Sequence, residues 1–343
     1  MFNINNITRK NILQMKPYSS ARSEFKGEAT VFLDANENPN QTNLNRYPDP
    51  LQTTLKDKIS AIKSIDSSQI FLGNGSDEAI DLLYRAFCEP GKDKAFVFPP
   101  TYGMYTVSAA INNIEVVELP LTSDFQIPAI DSIANQISTA GLLFICSPNN
   151  PTGNTICKES IVKLANSFSG IVVLDEAYVD FSDDGSLLYL LDELPNLVIL
   201  QTFSKAWGLA GLRVGMAFAS REIIDVLNKI KPPYNINILS QAKVLESLGD
   251  LKTKSIQVDE IKSERERLVE KLSSMDNVVR IYPSQANFIL VEFTDAQNLF
   301  KKLIDKGIIL RDRTKQVENC IRITVGTVEE NNLLLKTLNE LGS

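Results

Sequence analysis

The chain has 343 residues, of which 43% are hydrophobic and 22% are charged, so it can bury a sizeable core and is long enough for two domains. Its net charge of −7, without a basic run, argues against a nucleic-acid-binding surface, and no apolar run has membrane-spanning length. The absence of histidine excludes Ser–His and Cys–His nucleophile pairs and histidine-dependent metal sites, so we expect no metal centre.

The amino-terminal segment, residues 1–30, is predicted to form a helix or arm followed by a loop. Residues 1–14 alternate polar residues with single apolar ones, so we expect neither secretion nor membrane insertion. The cysteines show no C-x-x-C spacing, which is typical of reduced thiols in a cytoplasmic protein. They are Cys88, Cys146, Cys157 and Cys320.

A predicted strand at 70–72 leads into a glycine-rich turn, residues 73–78 (GNGSDE), and then into a helix with apolar residues on one face over 79–87. Such a turn presents free backbone N–H groups and the positive end of the helix dipole, which favours an anion site. A simple helix cap by Ser76, with acidic residues in the first turn, is the alternative.

Further strands alternate with helices over the next 140 residues or so, which predicts an α/β layer structure with a mainly parallel sheet. In such sheets ligands bind off the carboxyl ends of the strands. The predicted strands cover 95–98, 115–119, 142–146, 171–174, 197–200 and 214–219, with helices near 130–137 and 158–168.

Polar and aromatic residues follow several of these strands. Tyr102 lies in a proline–glycine loop, where it either stacks on a flat ring or packs in the core. Asn150 stands between prolines, so its side chain is presented at the edge of the sheet. Asp175 and Glu176 end a buried apolar strand, just before Tyr178, and a buried carboxylate is expected to have a cationic partner.

The segment 201–215 (QTFSKAWGLAGLRVG) carries the strongest chemical pattern. At the end of a buried strand Lys205 either reaches solvent or has a lowered pKa and acts as a nucleophile that forms a Schiff base. Ser204 and Arg213 are suited to hold a phosphate beside it, which suggests pyridoxal phosphate. Three glycines are expected to permit close backbone approach: Gly208, Gly211 and Gly215.

The last hundred residues predict a smaller α/β domain. We expect an arm at 1–30, a large cofactor-binding domain at 31–240 and a small domain at 241–343. The elements predicted in the last domain are charged helical stretches over 240–272, strands at 287–293, 308–310 and 320–327, a helix at 296–306, and a final helix with Leu334, Leu338 and Leu341 on one face.

With Asn150, Asp175, Tyr178, Lys205 and Arg213 in this order, the chain resembles the fold-type I pyridoxal-phosphate aminotransferases, and within them the histidinol-phosphate aminotransferase branch. The resemblance implies fold type I, with a large, mainly parallel sheet flanked by helices and a smaller α/β domain. Outside the lysine motif, the segments that carry the resemblance are 17–22 (PYSSAR), 46–50 (RYPDP) and 322–327 (RITVGT).

This resemblance implies a role for each residue of the cofactor site. Lys205 binds pyridoxal phosphate covalently and then moves the substrate proton. Asp175 pairs with the ring nitrogen, Tyr178 and Asn150 bind the phenolic oxygen, and Tyr102 stacks on the ring. The residues implied to hold the phosphate are Ser204, Arg213, Gly75, Ser76 and Asp77.

The resemblance also implies a homodimer, because Tyr47 is expected to reach the phosphate of the neighbouring subunit's cofactor. Arg322 is expected to bind the carboxylate of glutamate or the phosphate of histidinol phosphate in alternate half-reactions. Tyr18, Asn36 and Arg311 are candidates for the far end of the substrate. The implied reaction converts imidazole acetol phosphate and L-glutamate into L-histidinol phosphate and 2-oxoglutarate.

Two residues depart from the pattern. Gln201 stands where many members carry arginine, and Arg313, close to Arg311, either alters the substrate pocket or lies in solvent. Three alternatives share many of these motifs: an aromatic-amino-acid aminotransferase, a decarboxylase of an amino-acid phosphate, and a ligand-sensing module without turnover.

Overall fold

The computed structural model describes residues 2–19, 24–25, 27, 30–137 and 141–342. Residues 20–22 of the PYSSAR segment lie outside this part of the chain. The described residues form two β-sheets with helices packed on them, which confirms the α/β class. Among the helices that the structure describes, none combines the length and the apolar character needed to cross a membrane.

The strands and helices follow in this order along the chain. The strands are β1 (Ile70–Asn74), β2 (Lys94–Val97), β3 (Glu115–Glu118), β4 (Gly141–Cys146), β5 (Ile171–Asp175), β6 (Leu197–Thr202), β7 (Val214–Phe218), β8 (Val278–Tyr282), β9 (Phe288–Phe293), β10 (Arg311–Asp312) and β11 (Cys320–Thr324). The α-helices are α1 (Ile4–Ile7), α2 (Lys10–Gln14), α3 (Thr53–Lys63), α4 (Ser76–Phe87), α5 (Met104–Ile111), α6 (Ile130–Ile133), α7 (Lys158–Ser167), α8 (Arg221–Ile230), α9 (Ile238–Ser247), α10 (Leu251–Leu272), α11 (Ala296–Asp305) and α12 (Val328–Gly342).

The large sheet has the strand order β1-β7-β6-β5-β4-β2-β3. Strands β2 to β6 pair in parallel, whereas β7 pairs antiparallel with both β1 and β6. The sheet is therefore mainly parallel, as predicted, and the carboxyl ends of β1, β4, β5 and β6 meet at one edge.

Successive residues of each strand enter opposite sides of this sheet, because side chains alternate along a strand. In β4, Leu143 and Ile145 pack with α3, α7 and α9 on one side, and Leu142 and Phe144 pack with α4, α5 and α8 on the other. Burying both faces explains the long apolar runs in the sequence.

The small sheet, in the order β10-β11-β9-β8, is antiparallel. One face packs on α10, α11 and α12 and forms an apolar cluster that includes Ile321 and Ile323. Leu334 and Leu338 of the final helix belong to this cluster, which agrees with their predicted position on one face of that helix. The opposite face carries Phe288 against Tyr178, next to the end of β5. Arg322, between the two buried isoleucines, therefore faces the large sheet.

The structure corrects the predicted elements in several places. The strand predicted at 308–310 is wrong: Ile309 is 71% exposed, and pairing begins only at Arg311, opposite β11. Strand β8 was not predicted, because its residues are mostly half-buried or exposed. The predicted helix at 130–137 shortens to α6, and the stretch 240–272 divides into α9 and α10, where Asp250 caps the second helix through Thr253 N.

Candidate active site

A cavity of about 170 Å³ opens at the carboxyl edge of the large sheet. It brings together every cofactor residue predicted from the sequence except Tyr47. The residues that line it are Gly75, Ser76, Asp77, Tyr102, Cys146, Asn150, Asp175, Ala177, Tyr178, Thr202, Ser204, Lys205, Ala210 and Arg213.

Lys205 lies just beyond the end of β6, in the connection to β7. Its side chain is accessible from the cavity, and its Nζ lies 5.5 Å from the centre of the Tyr178 ring. The surrounding protein lowers the pKa of Lys205 by desolvation, and the positive charge of Arg322 lowers it further. A lowered pKa increases the neutral, nucleophilic fraction of the amine.

Asp175 is the last residue of β5 and is buried beside Cys146 of β4. Its Oδ2 accepts a hydrogen bond from the Tyr105 hydroxyl at 2.7 Å, and its Oδ1 accepts one from the Ala177 N–H at 3.0 Å. Burial raises the pKa of Asp175 to about 6, an effect that these hydrogen bonds and the charge of Lys205 partly offset. Tyr105 was missed in the sequence, where a tyrosine in an apolar helix indicates only core packing.

Asn150 and Tyr178 connect the large sheet to the small one. The Asn150 Nδ2 donates to the Tyr178 hydroxyl at 3.4 Å, and the Arg322 guanidinium donates to the Asn150 Oδ1. Arg322 also lies with its Cζ 5.0 Å from the centre of the Phe288 ring. Burial raises the pKa of Tyr178, so its hydroxyl keeps its proton at neutral pH. The amide and the phenol are held close enough to bind one ligand oxygen together.

The other end of the cavity is built for an anion. Helix α4 begins at Ser76, and its first backbone N–H groups lack partners within the helix. Gly75, with φ of +79°, turns the chain into this helix, and a Cβ there would lie 2.8 Å from an Arg213 guanidinium nitrogen. Arg213 stands 3.7 Å from the Asp77 carboxylate, and both side chains are at least one-third exposed.

The three glycines of the lysine segment have different roles. A Cβ on Gly215 would lie 2.1 Å from the Ser76 backbone nitrogen, which confirms a close backbone approach. Gly208 has a φ of +65°, with open space beside it, so its conformation and not its contacts favours glycine. Gly211 has neither a close neighbour nor a positive φ, and the expectation of close approach is wrong there.

Tyr102 lies at the side of the cavity, where its hydroxyl donates to Asp77 Oδ1 at 3.1 Å. Its ring meets Tyr105 edge-on, with the ring centres 5.5 Å apart. Desolvation and the nearby Asp77 carboxylate raise the pKa of Tyr102. The ring is thus oriented by a contact at each end.

Four other predicted residues lie away from this cavity. Tyr18 is 69% exposed beside Pro50, and Asn36 and Tyr47 border a separate groove with Tyr234. Arg311 is exposed and pairs across the strands with Arg322. In a single subunit these four side chains therefore lie outside the Lys205 cavity.

The buried acid beside Asp175 is satisfied differently from the sequence expectation. Glu176 accepts hydrogen bonds from the Leu187 N–H at 2.8 Å, from Ser186, and from the Gln201 amide at 2.9 Å. Among the residues that the structure describes, no cationic side chain contacts Glu176 directly, so that prediction is wrong for this residue. Neutral donors occupy its carboxylate oxygens instead. Gln201 is buried and helps to hold this carboxyl.

The donor set fits pyridoxal phosphate. Lys205 supplies the amine, and Asp175 supplies a buried carboxyl whose hydrogen-bond donors are neutral, as required to pair with a cationic ring nitrogen. The glycine turn and Arg213 supply the anion-binding end.

Comparisons with known proteins agree with this geometry. The family described as "Aminotransferase class I and II" matches residues 23–338. The chain is 52% identical to a histidinol-phosphate aminotransferase of Cytophaga hutchinsonii over 98% of its length and 99% of that protein, and 51% identical to one of Christiangramia forsetii over 99% and 98%. The crystal structure of the histidinol-phosphate aminotransferase from Clostridium acetobutylicum is similar, with a TM-score of 0.80 at 25% identity, covering 88% of this chain and 91% of that one. The chain belongs to the class I and II aminotransferases, enzymes that depend on pyridoxal phosphate.

Proposed function

We propose that this enzyme transfers an amino group from L-glutamate to imidazole acetol phosphate, giving L-histidinol phosphate and 2-oxoglutarate in histidine biosynthesis. The observation that carries the chemistry is the placement of Lys205 and Asp175 in one cavity. The substrate is supported by relatives named histidinol-phosphate aminotransferase that are about half identical to the chain over nearly its full length.

When bound, pyridoxal phosphate supplies a conjugated ring that accepts the electron pair left on the substrate carbon. Lys205 Nζ would take up the proton from that carbon and deliver it to C4′ of the cofactor, which its lowered pKa favours. Asp175 would hold a proton at the ring nitrogen, and Asn150 and Tyr178 would bind the phenolic oxygen. Ser204, Arg213 and the start of α4 would hold the phosphate.

Arg322 is proposed to bind the substrate anion in both half-reactions. Its guanidinium is anchored on the Asn150 side chain and stacks on Phe288, so it is held beside the cofactor site. A guanidinium pairs well with a carboxylate or a phosphate. Tyr18, Asn36 and Arg311 are proposed to close on the far end of the substrate.

The absorption spectrum of the purified holoenzyme tests the reaction. Glutamate and histidinol phosphate, added to separate samples, are each expected to bleach the visible band of the bound cofactor. Bleaching by glutamate and phenylalanine but not by histidinol phosphate would identify an aromatic-amino-acid aminotransferase instead. Release of carbon dioxide without the spectral change would identify a decarboxylase.

We further infer that the enzyme is a homodimer in which Tyr47 enters the neighbouring subunit's site. Tyr47 is 50% exposed and stacks on Tyr234, with ring centres 4.4 Å apart. Exposed apolar side chains surround this pair, including Leu44, Ile238 and Leu239. Contiguous exposed apolar surface of this kind supports an interface with a second copy.

Hybrid dimers of Lys205→Ala and Tyr47→Phe subunits test the shared site. If Tyr47 acts across the interface, one site of the hybrid carries both changes and the other carries neither, so activity recovers. If Tyr47 acts within its own subunit, every site carries one change and activity stays low.

We also propose the three-part division into arm, large domain and small domain. Helix α9 crosses the boundary expected after residue 240, and its Val244 packs with the core of the large sheet. We therefore place the last boundary at the turn between α9 and α10, near Asp250. A cytoplasmic location is proposed because Cys88, Cys146 and Cys320 are buried free thiols.

A further inference from the structure

Three arginines share one face of the small sheet. Arg311 pairs directly with Arg322 across β10 and β11, and the Arg313 N–H donates to the Cys320 carbonyl at 3.0 Å, which continues the same register. Because alternate residues share a face, Arg313 lies on the side of Arg311 and diagonal to Arg322. This face is opposite the apolar cluster that contains Ile321 and Ile323.

Among the residues that the structure describes, none of the three arginines forms an ion pair with a carboxylate. The Nε atoms of Arg313 and Arg322 are buried, and neither has a hydrogen-bond partner among the described residues. Asp312, between the first two arginines, accepts instead from the Thr314 N–H at 2.8 Å. Like charges on neighbouring strands are unfavourable, so an anionic ligand would relieve the arrangement.

Arg313 lies on the face of the small sheet that carries Arg322 and is not free in solvent. It is half-buried, and its positive charge, like that of Arg322, lowers the pKa of the cavity residue Tyr178, although burial of the phenol outweighs both. Desolvation, and then repulsion from Arg322 and Arg311, lower the pKa of Arg313 to about 10, so the group is still a cation at neutral pH.

We propose that Arg313 is a specificity-determining residue that forms, with Arg322, a two-cation site selecting a phosphate monoester dianion over a single carboxylate. This inference rests on the proposed function and names the basis of its substrate choice. One guanidinium can satisfy both oxygens of a carboxylate, whereas a phosphate monoester has a third acceptor oxygen and a second charge. Arg322 thus serves both half-reactions, and Arg313 favours the phosphorylated one.

Holoenzyme carrying Arg313→Gln, Arg313→Lys or the control Arg280→Gln tests the inference. Arg280 is an exposed arginine on the opposite edge of the same sheet, stacked on Tyr282. The half-reaction kcat/KM is measured with histidinol phosphate and with glutamate. R313Q is expected to lower the value for histidinol phosphate by about 10- to 100-fold, the usual effect of losing a hydrogen bond to a charged group, and to leave glutamate within about threefold. R313K should be intermediate and R280Q unchanged.

Two further readouts separate recognition from a structural role. Inorganic phosphate, as a competitor of glutamate on the holoenzyme, should inhibit wild type more strongly than R313Q. The wild-type advantage with histidinol phosphate should shrink below about pH 6, where a phosphate monoester takes up its second proton.

Equal losses for both substrates, or phosphate inhibition unchanged in R313Q, would overturn the inference. If wild type bleaches with glutamate but never with histidinol phosphate, the proposed substrate fails, and the phosphate competition still decides the role of Arg313. If R313Q does not fold, the same comparison is made with R313K. Wild-type behaviour of R313K in every assay would then refute a role of the Arg313 guanidinium in selecting the phosphate.

Discussion

The Tyr105 hydroxyl donates a 2.7 Å hydrogen bond to the Oδ2 of Asp175, and both residues are buried. The Tyr105 ring stacks on Phe144 with ring centres 4.6 Å apart, so the hydroxyl is held by the core of the large sheet. Tyr105 and the Ala177 N–H thus orient the carboxyl from beneath the cavity. Its pKa is nevertheless raised to about 6, because burial disfavours the charge.

The cofactor-free enzyme should show this raised pKa as a pH-dependent loss of stability. The native carboxyl of Asp175 titrates near 6 and the unfolded one at 3.8, so the native state binds more protons between these values. The free energy of unfolding of wild type, relative to Asp175→Asn, should therefore fall as pH rises from about 4 to 6 and stay level above. Thermal unfolding of both proteins between pH 4 and 8 measures this difference in the free energy of unfolding.

Asp175→Asn is expected to weaken cofactor binding, although it removes the cost of burying a charge in the cofactor-free protein. Loss of the charged hydrogen bond to the ring nitrogen is expected to weaken binding by roughly 10- to 150-fold, equivalent to about 1.5–3 kcal/mol. Cofactor titration followed by absorbance gives the affinity. A variant that is less stable without cofactor and binds it normally would contradict the assigned role.

Tyr105→Phe should raise the pKa of Asp175 further, because the ionised carboxyl loses a donor while the ring keeps its stacking on Phe144. The shift is expected to be about one unit or more, since a hydrogen bond to a charged group contributes about 1.5–3 kcal/mol. The midpoint of the pH-dependent stability difference should move upward accordingly. Tyr84→Phe is a matched control, because that hydroxyl donates to a backbone carbonyl and not to Asp175.

Lys205→Ala should abolish turnover without loss of the fold. Proton transfer by a positioned base contributes about 10²- to 10⁴-fold, so at least this reduction is expected in single-turnover rates with glutamate. Lys243→Ala, which removes an exposed lysine paired with Glu246, should leave the rate unchanged. Substantial turnover by K205A would refute the role of the amine.

Gly215→Ala should disturb the anion-binding turn, because the added Cβ would lie 2.1 Å from the Ser76 backbone nitrogen. Overpacking of this kind costs about 1–3 kcal/mol, and weaker cofactor retention should accompany the loss of stability. Gly211→Ala, in open space and without a positive φ, should stay within about 0.5 kcal/mol of wild type. Equal behaviour of the two variants in unfolding and cofactor titration would contradict the close approach at Gly215.

The sequence by itself determined the mainly parallel sheet and most of the cofactor cavity. Buried strands are continuous apolar runs, and the chemistry lies in the few residues just after each run, so Lys205, Asp175 and the turn at Gly75 could be found from local order alone. The parallel topology then brings these strand ends to one edge, which is why distant motifs converge.

Only the tertiary structure decided which distant side chains meet. The hydroxyl of Tyr105 reaches Asp175 across 70 residues, and the Gln201 amide satisfies Glu176 across 25, contacts that leave no local pattern. Arg313 and Arg322 become neighbours because β10 pairs with β11, although their charges look scattered in the chain. Hydrophobic periodicity specifies which face of an element is buried, whereas electrostatic and hydrogen-bond partners depend on strand register and on packing between the two sheets.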